Sequence, residues 1–254
     1  MNNTPSRLIY RVLRFFVARL YCPKPTFEGL ENLPDEPCVI VGNHAQMYGP
    51  IIAELYLPGD PAIWCAAEMM RLSEVPDYAF QDFWSKKPRW NRWFFRLFSY
   101  AIAPLCVCIF NNARCIGVYR DSRVMTTMRK SLEHLEKGGN VVIFPEHEVA
   151  HNPILWDFQK GFMNLARLYA HKAQKTLSFV PIYVAPKLGK VVFGKPLPCD
   201  PEGPPDARPE RVRAALMDAI TEMAVAQPRH RVIPYPNMPK RDYPWNKPDE
   251  VSNV

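Results

Sequence analysis

Three short stretches carry side chains able to do acid–base or anion chemistry, and each falls at the end of an apolar run. Asn43-His44 follows Cys38-Val39-Ile40-Val41-Gly42. An imidazole takes a proton near neutral pH without a large change in its pKa, which makes His44 a candidate general base. Arg120 closes Ile116-Gly117-Val118-Tyr119, and a guanidinium in that position would clamp a phosphate with two parallel hydrogen bonds. Glu146 closes Asn140-Val141-Val142-Ile143-Phe144-Pro145, a β-branched run typical of a strand buried on both faces. The next residues, His147-Glu148-Val149-Ala150-His151, spell His-Glu-x-x-His, the zinc-peptidase pattern, in which a helix presents two histidines to the metal and the Glu acts as base. Pro145 before it and Asn152-Pro153 after it leave a helix too short for that purpose. His147 and His151 therefore stand as a weak metal-binding alternative, and no metal is assigned.

The surrounding pattern says what holds these side chains. Further apolar runs at 62–67, 179–184 and 191–193 read as strands. Helical periodicity covers 51–57, 121–137, 161–173 and 209–225, with Asp121 or Ser122 as a cap and Gly138-Gly139 as a stop. Alternating strands and helices predict an α/β fold with a mostly parallel sheet flanked by helices. In such sheets ligands bind beyond the carboxyl ends of the strands, where His44, Arg120 and Glu146 all fall.

Outside this core the chain carries membrane signals. It has 254 residues, 48% of them hydrophobic, and a net charge of +7. That charge suits an anionic partner, and with no nucleic-acid motif in view a lipid surface is expected rather than nucleic acid. Between Ser6 and Tyr21, Arg7, Arg11 and Arg14 recur at helical spacing among apolar residues, as in a helix lying in the plane of a membrane. A second apolar segment, Trp93 to Phe110, is interrupted by Arg96 and Pro104. Its uninterrupted part falls short of the roughly 18–20 residues that cross a bilayer, and it is expected to form a buried or interfacial hairpin. Seven cysteines with no Cys-x-x-Cys pair fit reduced thiols. The expected organisation is a membrane-surface helix over 1–24, an α/β domain over 25–226, and a proline-rich tail over 227–254 that is extended or disordered.

Taken together, the strand-end motifs resemble the lysophospholipid (glycerolipid) acyltransferase family, the group that includes 1-acylglycerol-3-phosphate acyltransferases. Asn43-His44 matches the family's first motif, Ile116 to Arg120 its second, Phe144-Pro145-Glu146 with Lys160-Gly161-Phe162 its third, and Val180-Pro181-Ile182 its fourth. The resemblance implies that His44 takes the proton from an acceptor hydroxyl as it attacks an acyl thioester. It also implies that Glu146 assists the chemistry, and that Asn43, Gly49, Arg120, Phe144, Pro145, Gly161 and Pro181 form the substrate site. The co-substrate would be acyl-CoA or acyl carrier protein, with no cofactor, and the acceptor a lysophospholipid. The partners would be membrane lipids, with the protein peripheral on the cytoplasmic face of the cell membrane. Two departures stand out. Gly49 occupies the position of the family's catalytic Asp, and His147, Glu148 and Val149 replace the Gly, Thr and Arg of the third motif. Glu146, or more weakly Glu148 or Glu54, would then substitute for the absent carboxylate. The alternative is a lapsed enzyme that binds lipid without turning it over.

Overall fold

Val39, Ile40 and Val41 are β-branched, lack polar side chains and are fully buried, so they have no stable place except the middle of a sheet. They form β2 (Val39–Gly42). The computed structural model describes residues 4–85 and 87–248, and every structural statement here concerns those residues. The sheet also contains β1 (Thr26–Glu28), β3 (Pro61–Ala66), β4 (Cys115–Val118), β5 (Asn140–Ile143), β8 (Leu177–Ala185), β9 (Lys190–Phe193) and β10 (Leu197–Cys199). Its order is β1-β9-β8-β2-β5-β3-β4, with β10 paired to β8. Pairs along the centre, β8-β2-β5-β3-β4, are all parallel, whereas β9 and β10 run antiparallel to β8. The α/β class with a mostly parallel sheet is therefore observed.

Strand alternation divides the core into two layers. Val39 and Val41, Val141 and Ile143, Phe179 and Tyr183 face helices α5 (Val124–Glu136), α6 (Asn164–Ala173) and α7 (Pro209–Ala226). Ile40, Val142, Val180 and Ile182 face α2 (Tyr48–Tyr56) and the C-terminal segment on the other side. A period of two delivers this division automatically. Fully burying one such aliphatic side chain contributes about 1.5–3 kcal/mol.

Pro181 sits inside β8, where a residue without an N–H normally breaks the ladder. It falls where β8 exchanges β10, paired at 177–179, for β9, paired at 182–185. The missing donor therefore interrupts no continuous ladder on that side.

Three expectations are corrected. Residues 93–110 do not form a hairpin: Arg92–Asn112 is one helix, α4, of about 31 Å with Pro104 inside it. Between Trp93 and Phe110 there is no Gly, Asn or Asp to make a turn. Pro104 thus removes one helical hydrogen bond without reversing the chain. Ala103 packs on Met69, Val75 and Ala79 beside α3 (Val75–Ala79), while Trp93, Phe94, Leu97, Phe98, Tyr100 and Leu105 stay exposed. By length and composition α4 is able to cross a membrane. At the next helix, α5, neither Asp121 nor Ser122 is the cap. The helix starts after Arg123, and Asp121 instead accepts the Arg123 N–H at 2.9 Å.

The third correction is the tail, whose described part, 227–248, is extended but well packed. Val232, Ile233 and Tyr243 are buried, as are His230 and Asn246. Its residues 249–254 lie outside the described residues. The N-terminal helix forms as α1 (Thr4–Phe16) and continues as a wider turn over Val17–Tyr21. It packs against α4, with the Asn112 amide donating to Ser6 Oγ at 2.6 Å. All seven cysteines are unpaired thiols.

Candidate functional site

His44 stands two residues beyond β2, at the carboxyl edge of the sheet. Directly after it comes a tight turn with Ala45 at φ 45° and Gln46 at φ 55°, a left-handed backbone that costs on the order of 1–3 kcal/mol per residue. This turn brings the Gln46 carbonyl onto Nδ1 of the His44 ring. A carbonyl only accepts, so Nδ1 must carry the hydrogen. Burial lowers the His44 pKa, opposed by the hydrogen bond to Gln46 and by the residue's own carbonyl, so the ring is neutral at neutral pH. A neutral ring protonated at Nδ1 leaves the lone pair of Nε2 bare and able to accept a proton. The ring lies edge-on between Phe144 (centroids 5.6 Å apart) and Tyr235 (5.5 Å).

Glu146 stands three residues beyond the end of β5. It opens β6 (Glu146–Ala150), which pairs with β7 (Trp156–Phe158) in a hairpin outside the main sheet. One carboxylate oxygen accepts the backbone N–H of His44 and the other accepts that of Trp156 at 3.0 Å. The expectation that Glu146 replaces the missing carboxylate at the ring is thus not met. Burial raises Glu146 to about 7, with the two N–H bonds pulling it down. It is a clamp between the His44 loop and the hairpin.

Gly49, at the position of the motif carboxylate, lies in the first turn of α2 and is buried. A Cβ there would come within 2.6 Å of the His44 carbonyl oxygen, 2.8 Å of Phe144 Cε1 and 3.0 Å of the Asn43 carbonyl oxygen. Glycine is present because the backbone and Phe144 approach too closely for any side chain. A substrate contact by Gly49 is accordingly excluded by its packing.

Several other expected site residues are structural. The Asn43 side chain is saturated, donating to the Val184 carbonyl at 3.0 Å and accepting the Val184 N–H at 2.7 Å. It extends the β2–β8 ladder past the strand end. Pro181 is buried within β8, and Pro145 is buried with its carbonyl accepting the Gln159 N–H at 2.9 Å. Gly161 begins the turn into α6, where Phe162 packs on Phe158 and Phe179 in the core layer opposite α2. Glu54 is engaged by Tyr10 and by Arg114. Phe144 alone of this set touches the His44 ring.

Arg120 follows β4 on an exposed turn. The turn is fixed by Thr127 of α5, whose hydroxyl donates to the Gly117 carbonyl at 2.8 Å and accepts the Tyr119 N–H at 3.2 Å. The Arg120 charge reaches Tyr78, Asp82 and Tyr235. Protein crowding raises the Asp82 carboxyl, Arg120 opposes this and Glu148 adds to it. Tyr235 also lies against His44, and the imidazole and the guanidinium both follow the carboxyl ends of strands of the same sheet.

His147 lies in β6 and His151 is the residue directly after it, so no helix presents the pair. Four residues of strand span roughly 13 Å, too far for one metal ion. His147 Nε2 meets Asp157 at 3.2 Å, and His151 Nε2 lies 3.9 Å from Asp218 of α7. The zinc-peptidase arrangement is absent. Sequence reasoning missed Gln46, which acts through its backbone, and Tyr235, which comes from the tail.

The Acyltransferase family profile matches residues 24–185, and the chain belongs to that family. Among solved structures, it is similar to the 1-acyl-sn-glycerophosphate (LPA) acyltransferase PlsC from Thermotoga maritima, at 15% identity and a TM-score of 0.48 over 89% of this chain and 85% of that one. No curated protein matches the sequence.

Proposed function

We propose that this protein moves a fatty acyl group from a thioester, acyl-CoA or acyl carrier protein, to the hydroxyl of a lysophospholipid or glycerol phosphate at a membrane surface. His44 carries the reading: its Nδ1–H is committed to Gln46 and its Nε2 is free to accept a proton. Nε2 takes the acceptor's hydroxyl proton as that oxygen attacks the thioester carbonyl. When the tetrahedral intermediate collapses, the C–S bond breaks and the imidazolium returns the proton to the leaving thiolate. Arg120 is suited to hold the acceptor's phosphate.

The exposed apolar residues of α1, among them Leu8, Ile9, Val12, Phe15 and Phe16, and those of α4 support attachment to a lipid surface. The cytoplasmic face suits this reading, because anionic lipid there attracts Arg7, Arg11 and Arg14. A second reading, a lapsed enzyme that still binds lipid, is favoured by Gly49 standing where a carboxylate would hold the ring. Purified protein supplied with labelled acyl thioester and a panel of lysophospholipids separates the two. A new diacyl product that His44→Ala abolishes supports transfer, and no product with any acceptor overturns it.

A further inference from the structure

The segment after α7 closes on itself. Val232 N–H donates to the Pro244 carbonyl at 2.8 Å and Asn246 N–H to the His230 carbonyl at 3.1 Å. The Asn246 side chain accepts the His230 N–H at 2.8 Å and donates to the Ala224 carbonyl of α7 at 2.8 Å. His230 is fixed in turn: its Nδ1–H donates to the Pro228 carbonyl at 2.7 Å, so its Nε2 accepts from the Tyr183 hydroxyl at 2.7 Å. Residues 231–245 are therefore an Ω-type loop with a buried base. Its lobe reaches the catalytic edge at two points. The Gln46 amide donates to Tyr243 Oη at 3.0 Å, and the Tyr235 ring lies against His44 and, at 6.5 Å, against Trp156 of the β6–β7 hairpin.

We infer that Tyr235 is a positioning residue for His44: its ring and that of Phe144 bracket the imidazole and keep Nδ1–H on the Gln46 carbonyl, the task a motif carboxylate would otherwise perform. The inference rests on the acyl-transfer reading for its consequence in turnover and on geometry alone for its effect on the ring. Tyr235 lies beyond the stretch the family profile matches, which ends at 185, whereas Phe144 lies within it. A carbonyl acceptor makes one uncharged hydrogen bond, weaker than the charge-assisted bond of a carboxylate. Rotation about χ2 would break it, and two aromatic edges at 61° and 69° to the ring oppose that rotation.

The test reads the ring directly. Ring 15N shifts of labelled histidine report the tautomer of His44 in the full chain, with His44→Gln assigning the signal. The wild type and Tyr235→Phe show the Nδ1–H form alone. Tyr235→Ala shows a mixture of both tautomers, and so does Tyr235→Leu, which fills the space without a flat ring and covers the case in which the alanine variant does not fold. In the acyl-transfer assay, Tyr235→Leu lowers kcat about ten- to a hundredfold with little change in KM, the scale of a misplaced catalytic group, and Tyr235→Phe recovers most of it. An unchanged tautomer in the folded Ala or Leu variant overturns the inference. Altered tautomers in a protein without transfer activity would uphold the bracket and overturn the acyl-transfer reading instead.

Discussion

Glu146 and His44 are joined through the backbone: an oxygen of the buried carboxylate accepts the His44 N–H, while the imidazole takes its own acceptor from Gln46. The second Glu146 oxygen holds Trp156, so one side chain sets the distance between the base loop and the hairpin. Glu146→Ala leaves two partly buried N–H groups without their carboxylate acceptor, at up to about 1–3 kcal/mol each. Thermal unfolding should show a clear drop in Tm, and turnover should fall even though Glu146 does not touch the ring. An unchanged Tm would mean that the clamp contributes nothing.

The same carboxylate shapes the pH dependence. In the unfolded chain Glu146 ionises near the ordinary value of about 4.3, and in the folded protein near about 7. Between those values the folded state binds more protons than the unfolded one. Stability therefore declines as pH rises through that window, by at most about 1.4 kcal/mol per unit. Glu146→Gln should flatten the decline in denaturant titrations taken at several pH values.

His44 titrates the other way. Its folded pKa is depressed by burial below the ordinary value of about 6.5, so the unfolded state binds more protons as pH falls through 6.5. The stability this group contributes is fully present above about 6.5 and is lost as pH falls below it. In kcat/KM the acid limb near 7 should belong to the Glu146 clamp. In Glu146→Gln that limb should move below about 6.5, where only His44 remains to protonate. A limb that stays near 7 in the variant would assign it elsewhere.

Restoring the family's carboxylate should fail. A Cβ on Gly49 would press on two backbone carbonyl oxygens and Phe144, and overpacking of this kind costs about 1–3 kcal/mol. Gly49→Ala and Gly49→Asp should both lower Tm and gain no turnover. Higher activity in the Asp variant would show that the His44 loop can open to admit it.

Membrane attachment should depend on charge and on the exposed apolar faces together. Replacing Arg7, Arg11 and Arg14 by Gln should weaken co-sedimentation with anionic vesicles by about 1 kcal/mol per residue, and added salt should weaken wild-type binding likewise. Replacing Leu97 and Phe98 of α4 by Ser should weaken it at any salt. Binding indifferent to all of these changes would remove the proposed surface.

The strands were legible in the sequence because burial on both faces demands a run of β-branched residues, and no other element tolerates Cys38 to Val41 or Asn140 to Ile143 so well. The strand-end positions of His44, Arg120 and Glu146 followed from that, since a parallel sheet gathers the carboxyl ends of its strands on one edge. What each side chain does there was decided only by tertiary contacts. Asn43 reads as a ligand group in the sequence, yet Val184 uses both ends of its amide, and Gly49 reads as an empty seat, yet Phe144 and two carbonyls fill it. The Gln46 carbonyl leaves no mark in a sequence, because every residue has one and only the left-handed turn at Ala45 and Gln46 aims it. Trp93 to Phe110 had apolar content but no local signal separating one helix from two, and that was settled by the absence of a turn and by packing against α3. The tail, too proline-rich to order itself, takes its form from the buried contacts of His230 and Asn246, and so Tyr235 reaches His44, 191 positions earlier in the chain.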